Sequence, residues 1–168
     1  TTKKVQTEKI HIIGGGTVSH VRSHLALSTP AYGTTARCLA ELCLVHSERY
    51  EVNLHLTKMA DAGRGKLETN QDIADLINTL VEDQSTKMIF FNPALTDFSG
   101  TILASSARAE ISGELFTPRL TSSGKYEERL RTRENNLVTM ELTASPKIIG
   151  DIRKERKDIY LIGFKTTA

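Results

Sequence analysis

The chain has 168 residues, which is long enough for one domain with a sizeable core. Its net charge of +2 is too small to indicate a nucleic-acid partner, and an aromatic content of 5% offers few surfaces on which bases could stack. No apolar run approaches the roughly 18 residues of a membrane span, and no signal peptide is visible. We therefore expect a cytoplasmic protein with no nucleic-acid and no membrane partner.

Cysteine and histidine do not indicate a metal site. Cys38 and Cys43 lie on one predicted helix at a spacing that is poor for a disulfide, so we expect reduced, buried thiols. His20 and His24 are close in sequence to Arg22, but no carboxylate or third ligand lies nearby. Loop or surface histidines are the favoured interpretation, and no metal ligands are predicted from the protein itself.

The first predicted strand is Ile10–Ile13, a short β-branched run that runs directly into Gly14, Gly15 and Gly16, followed by Thr17. In α/β folds a strand that ends in glycines brings backbone N–H groups close to a phosphate, because a Cβ would hold the ligand off. The same glycines are also typical of an ordinary strand-to-helix turn, and neither the dinucleotide nor the P-loop motif is present. Both interpretations stay open.

A second polar cluster, which includes Ser28 and Thr29, precedes a predicted helix from about Thr34 to Glu48. Thr34 or Thr35 would cap this helix, whose free N–H groups and positive dipole end would then face the glycines. The arrangement predicts an anion site.

The rest of the chain alternates apolar strands with amphipathic helices. Thr69 with Asp72 resembles a capping box at the start of a second helix. Ser145 and Pro146 predict the start of a third helix that continues to about Glu155. This alternation predicts a three-layer, Rossmann-like α/β fold with a mostly parallel sheet and helices on both faces. The predicted parallel strands are 10–13, 52–56, 87–92 and 159–164, and a further strand is predicted at 138–142.

Two loops are candidates for ligand contacts. The segment 93–100 follows the third strand and should face the glycines; in it Asp97 could hold a metal, a ribose or a base, or form a local Asx turn. Residues 99–136 are predicted to be an irregular flap on a single nucleotide-binding domain that spans 1–168. This flap carries interleaved arginines and glutamates, which are typical either of a solvated surface or of a lid that closes over a phosphate.

Four sequence landmarks occur in an order that resembles one known family. They are Gly15-Gly16-Thr17 with His20-Val21-Arg22; Ala94-Leu95-Thr96-Asp97-Phe98; Arg119-Leu120-Thr121-Ser122-Ser123 followed by Val138 to Leu142; and Ser145-Pro146-Lys147-Ile148 with Leu161-Ile162-Gly163-Phe164-Lys165. Together they resemble the phosphopantothenate–cysteine ligase family, the synthetase half of the bacterial coenzyme A flavoprotein. The match covers nearly the whole chain.

The resemblance implies that CTP, or ATP, lies across the carboxyl ends of the strands, with Mg²⁺ bound through its phosphates. The carboxylate of phosphopantothenate would attack the α-phosphate, and the amine of cysteine would then displace the nucleotide to give an amide. The implied catalytic residues are Arg22, Arg119 and Arg129. The implied nucleotide-binding residues are Gly14, Gly15, Gly16, Thr17, Ser28, Thr29, Thr34, Ala94, Asp97, Phe98, Phe164 and Lys165.

Two departures from the family bear on this chemistry. Ala26 stands where the family has an asparagine tied to the acyl-nucleotide intermediate, and Arg119 or Arg129 replaces the lysine of the flap. We therefore expect nucleotide binding with weak or absent ligation of cysteine to phosphopantothenate. The alternatives are a nucleotide- or phosphometabolite-binding protein that has lost ligase activity, or an enzyme with another acid substrate. The family continues into a dimerising segment beyond its last strand, so the resemblance also implies a homodimer; against the family, the chain is either truncated, partly ordered or a shortened relative.

Overall fold

The computed structural model describes residues 7–46, 48–103, 121–133 and 137–165. The elements in chain order are β1 (Glu8–Gly16), β2 (Val18–Arg22), β3 (Leu25–Ser28), α1 (Thr34–Leu44), β4 (Tyr50–Leu56), α2 (Asn70–Glu82), β5 (Thr86–Ala94), β6 (Phe98–Leu103), β7 (Thr139–Ala144), α3 (Ile149–Glu155) and β8 (Tyr160–Gly163). They belong to two compact units. Unit 1 consists of the described residues within 1–17, 29–95 and 147–168, and unit 2 of those within 18–28 and 96–146.

Unit 1 contains a four-stranded parallel sheet in the order β4-β1-β5-β8. Each strand predicted to be parallel is found, so the predicted α/β class and its parallel sheet are confirmed. β1 lies between two neighbours, and this position accounts for its apolar run, because a central parallel strand is covered on both faces.

Helices cover both faces of this sheet, as predicted. On one face Ile13 of β1 belongs to an apolar cluster with α2 and α3, which contribute Ile73 and Ile152. On the other face Ile10 and Ile12 pack against small residues of α1, chiefly Ala36 and Ala40. The alternation along β1 therefore directs successive side chains to the two helical layers. Within the described ranges, no helix combines the length and the apolar character needed to cross a bilayer.

Three predictions about α1 differ from the structure in detail. α1 ends at Leu44, before the predicted Glu48, and its N-cap is Gly33 with φ 74°, so the prediction of Thr34 or Thr35 as the cap was wrong. Glycine takes the cap because it adopts this left-handed conformation without strain. Cys38 is exposed and Cys43 half-buried, which corrects the expectation of buried thiols.

The other two helix starts show why local capping signals succeed or fail. The predicted capping box of α2 is confirmed, since the Thr69 hydroxyl accepts from the Asp72 backbone N–H and the Asp72 carboxylate accepts from that of Thr69. The third helix was predicted to begin at Ser145, but α3 begins at Ile149. The Ser145 N–H instead donates to the Asp97 carbonyl at 2.8 Å, which extends the pairing of β6 with β7.

Unit 2 is built from two antiparallel pairs, β2 with β3 and β6 with β7. The hairpin formed by β2 and β3 was missed by the sequence analysis, which placed a loop there. The irregular flap predicted at 99–136 is also corrected in part, because Phe98–Leu103 is a strand. The strand predicted at 138–142 is found at Thr139–Ala144. The division into two compact units does not test the prediction of a single domain, which therefore stays a prediction.

Candidate functional site

The predicted glycines lie at the carboxyl edge of the unit 1 sheet. In the strand register Gly14 is opposite Leu56 on one side and Asn92 on the other, and Gly16 is opposite Ala94. The structure therefore brings Gly14, Gly15, Gly16 and Ala94 together at the ends of neighbouring parallel strands. This is the edge at which open α/β sheets bind their ligands.

The glycines are required by close packing within the protein. A Cβ on Gly14 would overlap the Cβ of Ala36 in α1, and a Cβ on Gly16 would overlap the carbonyl oxygen of Thr29. A side chain on Gly14 would therefore displace α1, and a side chain on Gly16 would displace the backbone of Thr29. The strand-to-helix interpretation thus accounts for these two glycines without a ligand.

Gly15 lies against a residue that the sequence analysis did not single out. Its φ of 104° favours glycine, and a Cβ there would overlap the Oγ1 atom of Thr57 and approach the Cβ of Ala60 to 2.7 Å. Thr57 is completely buried, and its hydroxyl has no hydrogen-bond partner within the part of the chain that the structure describes. In the sequence, the feature that could have drawn attention to Thr57 is its position directly after the second predicted strand of the parallel sheet.

Two backbone donors of the predicted anion site already bind protein oxygens. The N–H of Gly16 donates to the Ala31 carbonyl at 2.8 Å, and the N–H of Thr17 donates to the Ala94 carbonyl at 3.0 Å. The Thr17 hydroxyl donates to Asn70 Oδ1 at 2.6 Å. These contacts fix the end of β1, and the N-terminus of α1 is a further source of backbone donors at this edge.

The start of α1 combines three features that favour an anion. The N-cap is Gly33, no acidic residue occurs in the first turn, and Thr34 is exposed. Arg37 adds a positive charge in the same turn; its guanidinium donates to the carbonyl oxygens of Tyr32, at 2.8 Å, and Ala60. Because the helix dipole is positive at this end, the local field attracts negative charge. The sequence analysis did not single out Arg37.

The other nucleotide contacts predicted in unit 1 also lie at this edge, but only one of them, Thr29, adjoins the glycines. Thr29 donates its N–H to the Thr17 carbonyl at 3.1 Å and its hydroxyl to the Leu95 carbonyl at 3.2 Å, so it is next to the glycines. Phe164 and Lys165 follow β8 and are exposed. Since β8 pairs with β5 and β5 separates it from β1, these two residues share the edge but do not adjoin the glycines.

The remaining predicted residues belong to unit 2 or to undescribed ranges. Ser28 and Phe98 are exposed and belong to β3 and β6, and Asp97 precedes β6. Arg129 is exposed, whereas Arg119 lies outside the described residues. Ala26, at the position of the family asparagine, is exposed on β3 opposite His20.

Arg22 differs from the other predicted arginines because it is only 7% exposed. Its Nη2 donates to Thr121 Oγ1 at 2.5 Å, and its Nη1 donates to the carbonyl oxygens of Val21, at 3.4 Å, and Ser122. The acceptors described for it are thus all neutral oxygens.

A pair of histidines lies within the unit 1 sheet, with His11 buried and His55 half-buried. His11 Nδ1 and His55 Nε2 are 3.0 Å apart, and their rings stack with centroids separated by 5.2 Å. Burial, reinforced by the nearby His55, lowers the pKa of His11 to about 4, and burial also lowers the pKa of His55. Among the described residues, no group of three or more histidine, cysteine, aspartate or glutamate side chains could hold a metal ion.

Comparison with known proteins gives a likeness of structure. No family model matches the chain, and no match was found among curated proteins. The DNA/pantothenate metabolism flavoprotein from Streptococcus pneumoniae matches 95% of this chain and 68% of its own length, with a TM-score of 0.67 at 20% identity. The C-terminal domain of the coenzyme A biosynthesis bifunctional protein CoaBC matches 93% of this chain and 63% of its own, with a TM-score of 0.56 at 14% identity. The chain shares their fold.

The resemblance to the phosphopantothenate–cysteine ligase family is therefore confirmed at the level of the fold. At 20% and 14% identity the likeness carries no residue roles with it. The nucleotide, the acid substrate, Mg²⁺ and the homodimer stay predictions.

Proposed function

We propose that this chain is a nucleotide-dependent ligase that resembles phosphopantothenate–cysteine ligase and binds the nucleotide phosphates at the carboxyl edge of the unit 1 sheet. The observation that carries the proposal is the N-terminus of α1, which begins at a glycine cap, has no acid in its first turn and lies at this edge, where Ala36 contacts Gly14. Helix N-termini of this kind bind phosphate through backbone N–H groups and the helix dipole. The likeness of fold supports the assignment of this edge to the nucleotide.

The proposed reaction has two steps. The carboxylate of the acid substrate attacks the α-phosphate of CTP or ATP, and diphosphate leaves. The amine of cysteine then attacks the acyl carbon, the nucleoside monophosphate leaves, and the amide forms with loss of a proton from the amine. Mg²⁺ bound to phosphate oxygens would offset their charge. No protein ligands to the metal are proposed.

In this proposal the N–H groups in the first turn of α1, with the Thr34 hydroxyl, bind phosphate oxygens. Arg129 and Arg119 stabilise negative charge, and neither acts as an acid because guanidinium does not lose its proton in proteins. The nucleotide contacts that the family resemblance implies remain proposed: Gly14, Gly15, Gly16, Thr17, Ser28, Thr29, Ala94, Asp97, Phe98, Phe164 and Lys165.

A second function, nucleotide binding without ligation, is favoured by one position. Ala26 is an exposed methyl group on β3 where the family has a carboxamide. The loss of one donor to a transition state typically costs about 10²–10³ in kcat. A chain with alanine at this position is therefore expected to bind the nucleotide but to turn it over slowly.

Binding is tested by thermal denaturation with CTP and Mg²⁺, and in parallel with ATP. A nucleotide present at about 100 times its Kd should stabilise the fold by about 2.7 kcal/mol. The informative variant is Thr34→Glu, which places a negative charge at the start of α1. It should leave the free protein as stable as before or slightly more stable, because the charge complements the dipole, yet abolish stabilisation by CTP.

The matched control is Thr79→Glu, which adds the same charge at an exposed position of α2. It should retain the full response to CTP. Equal responses of the two variants would contradict the proposed phosphate site, and no response of the unaltered protein to either nucleotide would contradict nucleotide binding altogether.

Ligation is tested by diphosphate release with CTP, phosphopantothenate and cysteine. We expect little turnover by the unaltered chain and more by Ala26→Asn. Robust turnover by the unaltered chain would contradict the role given to this position. If both chains bind CTP and neither releases diphosphate, the binding function, or another acid substrate, is the better description.

A further inference from the structure

The contacts of Arg22 indicate a role that differs from the one implied by the family resemblance. Arg22 is the last residue of β2, and its guanidinium donates to Thr121 Oγ1 and to the Ser122 carbonyl. These partners are 99 and 100 residues away in sequence. One buried side chain thus binds two successive residues of the segment 121–127.

These hydrogen bonds matter to both partners. A buried guanidinium must find acceptors for its N–H groups, because removing a charge from water without replacing its hydrogen bonds is costly. Hydrogen bonds with a charged donor are roughly twice as strong as neutral ones. The oxygens of Thr121 and Ser122 therefore take the place of water around Arg22, and Arg22 in turn restrains them.

The segment 121–127 contains no helix or strand, yet backbone contacts hold it along its length. The N–H of Gly124 donates to the Val21 carbonyl at 3.2 Å, and the N–H of Ser23 donates to the Glu127 carbonyl at 3.1 Å. At the other end the Thr121 hydroxyl donates to the Ile102 carbonyl at 2.8 Å. Arg22 lies between Val21 and Ser23, which make two of these backbone contacts. Its own hydrogen bonds therefore join them into one continuous attachment of the segment 121–127 to β2.

We propose that Arg22 is a positioning residue whose guanidinium fixes the segment 121–127 against β2. The segment is then an ordered surface loop that presents Ser123, Lys125 and the 94% exposed Tyr126 to solvent in a fixed arrangement. In the role implied by the family resemblance, the same guanidinium would hold a substrate phosphate or carboxylate. The positioning role rests on contacts within unit 2 and is independent of the proposed ligase activity.

Amide hydrogen exchange of the full-length chain, read by mass spectrometry, tests this role. Arg22→Met keeps an unbranched side chain of similar aliphatic length and removes the guanidinium and its donors. Because a hydrogen bond to a charged group contributes about 1.5–3 kcal/mol, exchange within 121–127 should accelerate about 10- to 100-fold. Arg22→Lys, which keeps a charged donor, should restore part of the protection. The matched control is Arg37→Met, since Arg37 also donates to two carbonyl oxygens but in unit 1, and it should leave 121–127 unchanged.

Unchanged exchange of 121–127 in Arg22→Met would overturn the proposal and favour direct binding of a ligand. If exchange in Arg22→Met also rises throughout β6 and β7, the double variant Arg22→Met/Thr121→Val decides. Thr121→Val alone loses the bonds of its hydroxyl to both Arg22 and the Ile102 carbonyl, so it serves as the second background and not as a test by itself. If Arg22 acts on 121–127 through Thr121, adding Arg22→Met to Thr121→Val accelerates exchange in 121–127 less than adding it to the unaltered chain. Equal acceleration in the two backgrounds overturns the positioning role.

Discussion

Acidification should destabilise this protein well before its carboxylates are protonated, because of His11. This side chain is 4% exposed in the central strand β1, with its ring nitrogens near His55 and, at 3.4 Å, the Thr86 hydroxyl. Burial, together with the neighbouring His55, lowers the pKa of His11 from 6.5 to about 4. The folded protein therefore keeps this imidazole neutral over a range in which the unfolded chain takes up a proton.

The sign and size of the effect follow from this difference in pKa. Above pH 6.5 the imidazole is neutral in both states and has no effect on the pH dependence of stability. As the pH falls from 6.5 towards 4, the unfolded state binds more protons, so the free energy of unfolding decreases. At 1.36 kcal/mol per pH unit the total loss from His11 is about 3 kcal/mol, of which about 1 kcal/mol is already lost at pH 5.5.

The measurement is urea denaturation between pH 7.5 and 4.5, for the unaltered protein and for His11→Gln, which keeps a hydrogen-bonding side chain that does not titrate. Between pH 7.5 and 4.5 the free energy of unfolding of the unaltered protein should fall by roughly 2–3 kcal/mol more than that of His11→Gln. His24→Gln, at an exposed turn position, should follow the unaltered protein. Parallel curves for the unaltered protein and His11→Gln would refute the reasoning.

Three further substitutions probe contacts near the candidate site by urea denaturation at pH 7. Thr57→Val should raise the free energy of unfolding by about 1 kcal/mol, because it replaces a buried hydroxyl that lacks a partner within the described ranges by a methyl group. Gly14→Ala should lower it by roughly 1–3 kcal/mol, because the new Cβ overlaps that of Ala36. Asp72→Ala should lower it by about 1 kcal/mol through loss of the capping box with Thr69.

Each of these substitutions has a control. Thr79→Val alters an exposed hydroxyl that donates to a helix carbonyl and should not stabilise the protein. Gly150→Ala introduces a Cβ with nothing within 4 Å and should stabilise α3 by about 0.5–1 kcal/mol. Asp75→Ala removes an exposed carboxylate beyond the first turn of α2 and should change stability by less than about 0.5 kcal/mol. A destabilised Thr57→Val would indicate a hydrogen bond to that hydroxyl, and Gly14→Ala or Asp72→Ala no less stable than its control would contradict the packing or the cap.

Features that depend on neighbours in the sequence could be predicted from the sequence. The β-branched run Ile10–Ile13 forms a central strand, and the capping box of Thr69 and Asp72 starts α2, because the groups involved lie within a few residues of each other. The alternation of strands and helices also predicted the parallel sheet, since right-handed crossovers leave few other arrangements. The position of the glycines at the carboxyl edge followed from the same rule.

Other features were decided by contacts between distant parts of the chain. Gly33 caps α1 in place of a threonine, and a Cβ there would approach the Cβ of Ala60 to 2.9 Å and a methyl carbon of Leu56 to 3.0 Å. Arg22 finds two of its acceptors about a hundred residues away, and the hydroxyl of Thr57, which follows the neighbouring strand β4, is buried against Gly15. The order of residues along the chain specifies which of them can form a strand or a helix cap. Which buried polar atoms receive partners depends on how separate segments pack, and only the tertiary structure determines that.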